Sequence, residues 1–393
     1  MRNSGEGLRG RVAIAGIAET AVGVVPDQSP TELCVAAALG ALEDAGIARD
    51  EVDGLVTSNA FAEPILYHAE AIAEYLGIQP RHCVTLNAGG GTTCSVLQHA
   101  ASVITAGLAD TIVVSMADSL RSFMTREQAM LTQASTGHPQ FEQPYGPPVP
   151  AYYALIAQAH MAAYGTQPEQ FAHVAVSGRA HACLNPTAQM RQPITVEDVL
   201  ASREIASPLR LLDCSLVSDG GAAFVVTSVE RARDARHAPV YLLGVGEAHS
   251  HEHISQAREL TRSAAVESGQ RAYAMAGLSP ADMDFAQLYD CFTPTVLVEL
   301  EDLGFCQKGE GGEFLASGAT YPGGSLPVNT HGGMLSHCHP GHPGAMYAVT
   351  ETVRQLRGAA GDRQLPKAEV GLVHAQGGIM SSHATAILGR EAS

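Results

Sequence analysis

A chain of 393 residues, 46% of them hydrophobic, has room for two compact domains or one large domain built from two halves. Its formal net charge of −17 argues against nucleic acid and anionic membrane surfaces as partners. The 8 cysteines are scattered without a CxxC pair, and the opening MRNSGEGLRGRVAIAG lacks a signal-peptide core, so a reduced, cytoplasmic protein is expected.

RVAIAGIAET reads as a buried strand. SPTELCVAAALGALEDAGI follows as a helix, with Ser29 as N-cap, Pro30 at the first helical position and Gly46 as the stop. VDGLVTSN and HCVTL are further strands. LNAGGGTTCSVLQHAA then passes through a glycine turn into a helix over about residues 92–106, and TIVVSMAD is the next strand. Alternation of this kind implies a layered α/β fold.

Residues 121–210 break the alternation. They hold the loop GHPQFEQPYGPPVPAYY and helices around ALIAQAHMAAYG and QPEQFAHVAVSGRAHAC, and read as an inserted loop and helical domain over one end of the core. The loop is a substrate entrance, a partner surface or an inert surface feature; the sequence leaves these open. Further on, FAQLY reads as a strand ending at Tyr289, and GEGGEF as a flexible turn, since it lacks the lysine of a phosphate loop. ALEDAGIARDEVDGLVTSNAF repeats as AYAMAGLSPADMDFAQLYDCF, which matches Gly46 with Gly277 and Asp53 with Asp284 at one offset. The division is therefore 1–120 and 211–240 for the first half, 121–210 for the insertion and 241–393 for the second half.

Several blocks, in order, resemble the thiolase superfamily, in particular its sterol-carrier and lipid-transfer branch. They are ITAGLADTIVVSMADSL, SPLRLLDCSLVSDGGAAFVVTS, YDCFTPTVLVELEDLGFCQKGEGGEF, NTHGGMLSHCHPGHPGA and HAQGGIMSSHATAILG, so the resemblance spans nearly the whole chain. It implies the thiolase fold: two duplicated α/β halves in α-β-α-β-α layers with an inserted loop domain, assembled as a homodimer. It also implies four active-site loops. Where the first carries a nucleophilic cysteine, this chain has Gly90. The second reads Tyr289-Asp290-Cys291-Phe292, with tyrosine in place of histidine. The third places His339 on the family's histidine, with His342 as a competing register. The fourth has Ala375-Gln376 before Gly377-Gly378, so its cysteine is also missing.

Without those thiols an acyl-enzyme route has no obvious nucleophile. Cys94, one helical turn beyond Gly90, is a weak substitute and reads better as a packing residue. What remains suits a retro-aldol cleavage, which needs a base for a β-hydroxyl, donors for an enolate oxygen and an acid for the α-carbon. The pattern looks like the thiolase-fold aldolases that shorten steroid side chains. That resemblance implies an acyl-CoA lyase acting on a 3-hydroxyacyl-CoA, giving a ketone or aldehyde and a shorter acyl-CoA such as propionyl-CoA. It also implies a zinc-binding OB-fold partner of the DUF35 type, in a heterotetramer.

Tyr289 is the expected acid/base, with its phenol lowered by His339, which otherwise serves the enolate oxygen. Asp290 orients its neighbours or caps the helix after it. Gly332, Gly333, Gly377 and Gly378 let backbone approach the thioester, and His342 supports the site. The histidines of SHCHPGH and HSHEH match no standard zinc spacing, so neither a metal nor a cofactor beyond the CoA thioester itself is expected. Two other readings stay open: an acetyl-CoA acetyltransferase-like enzyme using a displaced cysteine, and a non-catalytic scaffold or lipid-binding subunit.

Overall fold

The computed structural model describes residues 7–392. Strand β1 (Val12–Glu19) leads into helix α1 (Pro30–Ala45). Ser29 accepts the Glu32 amide and Glu32 accepts the Ser29 amide, a reciprocal cap that fixes where the helix starts. Gly46 ends it at φ 71°, a left-handed turn that glycine makes without a Cβ clash. Strand β2 (Gly54–Thr57), helix α2 (His68–Leu76), strand β3 (His82–Thr85), helix α3 (Thr92–Thr105) and strand β4 (Thr111–Ser119) follow.

The segment over residues 121–210 contains α4 (Arg126–Ala134), α5 (Val149–Tyr164), α6 (Pro168–Cys183) and α7 (Val196–Ala201), then the small pair β5 (Glu204–Ala206) and β6 (Leu209–Arg210). Strand β7 (Asp219–Ser228) and α8 (Val229–Ala232) complete the first half. The second half runs β8 (Val240–His249), α9 (Ala265–Ala276), β9 (Phe285–Gln287), α10 (Thr293–Asp302), α11 (Gly311–Ala316), α12 (Gly333–Ser336), α13 (Met346–Arg357), β10 (Val370–Gly377) and β11 (Ser382–Gly389).

Nine strands join in the order β3-β2-β4-β7-β1-β8-β11-β10-β9. The order is a duplication read outward from its centre, where β1 meets β8. On one side β1–β7 and β7–β4 are antiparallel and β4–β2 is parallel. On the other, β8–β11 and β11–β10 are antiparallel and β10–β9 is parallel. The counterpart of β3 is a lone parallel bridge between Ala286 and Val328. Helices α3 and α13 lie between the halves and each touches both β7 and β10; α1 covers the outer face of the first half and α9 that of the second. This is the five-layer α-β-α-β-α arrangement.

The repeat extends to single atoms. Asp53 Oδ1 accepts the Asp110 and Thr111 amides at 2.9 Å, which pins the start of β4. Asp284 Oδ2 accepts the Glu369 and Val370 amides at 2.8 and 3.1 Å, which pins the start of β10. Each carboxylate thus ties one strand's entry to its parallel neighbour.

Two local expectations are corrected. Strand β9 stops at Gln287, so Tyr289 stands in the loop beyond it, because its amide turns away to the Glu299 carboxylate on α10. GEGGEF is not a loose turn but the entry to α11, where the buried Glu301 carboxylate accepts the Gly309 and Gly311 amides, each at 2.9 Å. Helix α6 packs on α10, α11 and α12, so the inserted segment sits over the loops of the second half. Among the described residues no helix is long and apolar enough to cross a membrane.

Asp53→Ala and Asp284→Ala should have like effects, since each strands two strand-entry amides. Each variant is expected to lose about 1–3 kcal/mol in denaturant unfolding. No loss in either would show that the repeated aspartate does not hold the strand starts.

Candidate active site

Four loops converge beyond the carboxyl ends of β3, β9 and β10, where ligand sites of α/β sheets gather. They enclose a cavity of about 330 Å³ whose polar lining includes Tyr289, His339, Ser215 and Gln376, with the backbone of Gly90, Gly377 and Gly378. Leu120, Val149, Pro150, Leu216, Val217 and Phe292 form an apolar wall. Val149, Pro150 and Tyr153 come from the end of the proline- and tyrosine-rich loop and the start of α5, so that segment frames the entrance.

Tyr289 is clamped at both ends of its peptide unit. Its amide donates to Glu299 Oε2 at 3.0 Å and its carbonyl accepts the Thr295 hydroxyl at 2.8 Å. Both partners lie on α10, so the helix holds the tyrosine from behind. The phenol oxygen is 3.3 Å from His339 Nε2, with the rings edge to face at 87°. The other ring nitrogen, Nδ1, is 2.8 Å from Ser215 Oγ.

The same phenol explains Gly90. A Cβ built on Gly90 would strike Tyr289 Cζ and Oη, and also the Gln376 carbonyl. The Tyr289 hydroxyl occupies the space where a side chain at residue 90 would begin. Glycine here is therefore the socket for the phenol, and a cysteine at this position and Tyr289 in this pose exclude one another. The first and fourth loops lie backbone on backbone: a Cβ on Gly89 would come within 3.0 Å of Gly377 Cα and the Gly378 nitrogen.

Burial pushes the Tyr289 phenol well above its ordinary range, with Cys291, Asp290 and Glu299 adding to the effect. Burial also pushes His339 down to about 4, with His342 adding to it. Both groups are neutral near pH 7. The expectation that His339 lowers the phenol is thus corrected, because an uncharged imidazole supplies no positive charge.

The other expected residues divide. Gly377 and Gly378 line the cavity; Asp290, Gly332, Gly333 and His342 do not. Asp290 accepts the Met334 and Leu335 amides at 2.7 and 3.2 Å, so it caps α12 rather than the following α10 and ties the second loop to the third. Gly333 packs directly on that carboxylate, and Gly332 faces Ala182 of α6, so neither presents backbone to a thioester. His342 is buried against Phe61, with Nδ1 3.3 Å from the Asn59 carbonyl. Cys94 is 0% exposed and directs its sulfur to the Val373 carbonyl at 3.7 Å. Burial raises that thiol far above its ordinary range. A displaced nucleophile needs an accessible thiolate, and Cys94 offers neither access nor charge.

Four functional side chains carry no local signal in the sequence. Ser215 meets His339 across 124 residues. Tyr153 donates to the Gly378 carbonyl at 3.0 Å and accepts from Gln376 Nε2 at 2.9 Å, which braces the fourth loop. Gln376 also accepts the Met380 amide at 3.1 Å. Glu299 acts through the backbone of Tyr289. Only the proline- and tyrosine-rich loop, read as a possible entrance, hinted at Tyr153.

His249 and His251 bond the Ser382 hydroxyl and the Ile379 carbonyl. Among the described residues no group of three or more His, Cys, Asp or Glu side chains is disposed to hold a metal ion. A larger depression of about 630 Å³ lies between the end of β8 and α9, lined by His249, His251, Arg258, Arg262 and Arg271 among others. It contains none of the four loops' reactive groups, so the smaller cavity is the chemical one.

A duplicated sheet whose four loops meet at a buried tyrosine–histidine pair defines a thiolase-fold site without its thiols. The chain belongs to the thiolase family: residues 12–230 match the thiolase N-terminal domain and residues 246–390 the thiolase C-terminal domain-like family. It is 40% identical over 369 residues to the 17-hydroxy-3-oxo-4-pregnene-20-carboxyl-CoA lyase of Mycobacterium tuberculosis, covering 90% of this chain and 93% of that protein. It is 33% identical over 383 residues to an acetyl-CoA acetyltransferase of Methanothermobacter thermautotrophicus, covering 96% and 99%. Among solved structures it is similar to one titled Ltp2-ChsH2(DUF35) aldolase, with a TM-score of 0.88 and 37% identity over 97% of this chain and 98% of that one.

The depressed His339 value makes a signed test. Burial lowers His339 to about 4 in the fold, against an ordinary value near 6.5, so the unfolded chain binds the extra proton between those limits. Its contribution is complete above pH 6.5 and is lost as pH falls toward 4. The stability gap between the protein and His339→Gln should therefore shrink by roughly 2 kcal/mol from pH 7 to pH 5. A gap independent of pH would contradict a neutral, buried imidazole.

Proposed function

We propose that the cavity performs retro-aldol cleavage of a 3-hydroxyacyl-CoA thioester, giving a ketone or aldehyde and a shorter acyl-CoA. The protein is a carbon–carbon lyase of thiolase fold. The observation that carries this reading is the Tyr289 hydroxyl seated over Gly90, where an acyl-accepting thiol has no room. An acetyltransferase route needs that thiol. A retro-aldol route needs a proton acceptor at the same place.

The steps follow from a neutral pair. The substrate's β-hydroxyl gives its proton to the Tyr289 oxygen as the phenol proton passes to His339 Nε2. The Cα–Cβ bond breaks, the carbonyl forms on the departing ketone, and the electron pair becomes the enolate of the shorter thioester. Backbone amides of the glycine loops at Gly90, Gly377 and Gly378 supply the donors for the enolate oxygen. The imidazolium is stabilised by that developing charge. The proton then returns through Tyr289 to the α-carbon, so proton and electron pair balance with no covalent intermediate. These steps call on no cofactor in this chain; CoA enters as part of the substrate.

The apolar wall suits a bulky hydrocarbon half on the ketone side. The lyase relative is named for a steroid CoA thioester, and a steroid side-chain thioester releasing a fragment such as propionyl-CoA is the substrate we infer. The similar structure is titled as a complex with a DUF35 chain. That title supports a DUF35 partner; we further infer a homodimer that the partner, an OB-fold protein, joins into a heterotetramer, with any zinc on the partner.

The test offers branched 3-hydroxyacyl-CoAs, steroid ones included, to the protein with its co-expressed DUF35 partner and no free CoA. Mass spectrometry is expected to find ketone and shorter acyl-CoA in equal amounts. Tyr289→Phe should lower the rate about 10²–10⁴-fold. Turnover that appears only when CoA is added, or that survives Tyr289→Phe, would contradict the reading.

A further inference from the structure

We propose that Ser215 is a positioning residue that sets the tautomer of His339. Both the tautomer and its catalytic consequence are argued from the lyase reading above, but the tautomer is measured without turnover. A neutral imidazole has one N–H and one lone pair. His339 is neutral, and its two nitrogens face two hydroxyls: Ser215 Oγ at 2.8 Å from Nδ1 and Tyr289 Oη at 3.3 Å from Nε2. For the phenol to pass its proton on, Nε2 must carry the lone pair. Nδ1 then carries the hydrogen, and Ser215 Oγ is the acceptor that meets it.

The surrounding backbone is built to keep that contact. The Ser215 amide donates to the Cys291 carbonyl at 2.9 Å, which fixes the serine beside the Tyr289 loop. Leu216 donates to the Met334 carbonyl at 3.1 Å. Three residues on, Ser218 grips the histidine's own peptide: its amide donates to the His339 carbonyl at 3.2 Å and its hydroxyl accepts the His339 amide at 3.1 Å. Gln189 Nε2 donates to the Ser218 hydroxyl at 2.7 Å and holds it in that role. One short segment, residues 215–218, therefore holds His339 by ring and by backbone. In the opposite tautomer Nε2–H would point at the phenol, and the relay would have no lone pair to receive the proton.

Two measurements on the full chain with its DUF35 partner test this. In nitrogen-15 spectra of histidine-labelled protein, with His339 assigned by difference against His339→Gln, the ring is expected as the Nδ1–H form. In Ser215→Ala it should shift toward the Nε2–H form or a mixture, with the thermal midpoint unchanged. In the cleavage assay Ser215→Ala is expected to lose about 10–100-fold in kcat with KM little altered, and Ser215→Thr, which keeps the hydroxyl, to recover most of it. An Nε2–H ring in the unaltered protein, or a tautomer indifferent to Ser215→Ala, overturns the proposal whatever the turnover. A rise in KM alone also overturns it, since Ser215 would then be binding substrate. No cleavage by the unaltered protein, with the tautomer result standing, counts against the lyase reading and not against the role of Ser215.

Discussion

The Tyr289 phenol and residue 90 compete for one volume, and the site is arranged around that exclusion. With glycine at 90 the hydroxyl reaches the glycine loops and still lies within hydrogen-bonding range of His339. With a side chain there the phenol would have to leave, because the Glu299 and Thr295 bonds behind it fix its backbone. The change from a thiol to a phenol is thus a coupled substitution on two loops, one from each half of the molecule. Burial keeps both members of the Tyr289–His339 pair uncharged, which suits a relay that ends where it began.

The duplicated fold brings those loops together. The first loop follows β3 and enters the central helix α3; the second follows β9 and enters α10. The halves meet at β1 and β8, and α3 with α13 fills the space between them. Carboxylates do the local fastening. Asp290 binds the third loop to the second, and Asp53 and Asp284 hold the strand entries on each side. None of these carboxylates lines the cavity, yet each fixes backbone that does or that leads to it.

Much of this is legible from residues near one another in the chain. The Ser29 cap and the glycine stops at Gly46 and Gly277 act through local backbone, and the structure has them; Asp53 and Asp284 are paired by their spacing in the repeat, although the amides they accept lie far along the chain. The loop positions of Gly90, Tyr289 and His339 could be counted from the blocks that resemble thiolases. What could not be read is what depends on burial and on distant partners. The charge state of His339 follows from desolvation that no spacing encodes. Asp290 binds α12, over forty residues away, rather than the adjacent helix that its position suggests. Ser215 and Gln376 are ordinary polar residues until the fold sets them against His339 and Tyr153. GEGGEF lacks apolar periodicity, and it becomes helical because Glu301 satisfies its amides.

The most direct test of the central claim is the cleavage rate of Gly90→Cys without free CoA, read alongside its intact mass. If the socket is what the phenol requires, the rate falls by about 10²-fold or more, as expected when a reacting group is displaced by an ångström. No acyl group should then accumulate on the introduced thiol. A rate equal to that of the unaltered protein would contradict the account, since Tyr289 would then be working without the space that Gly90 leaves. So would a stable acyl adduct, which would show a thiolase site that had only lost its sulfur.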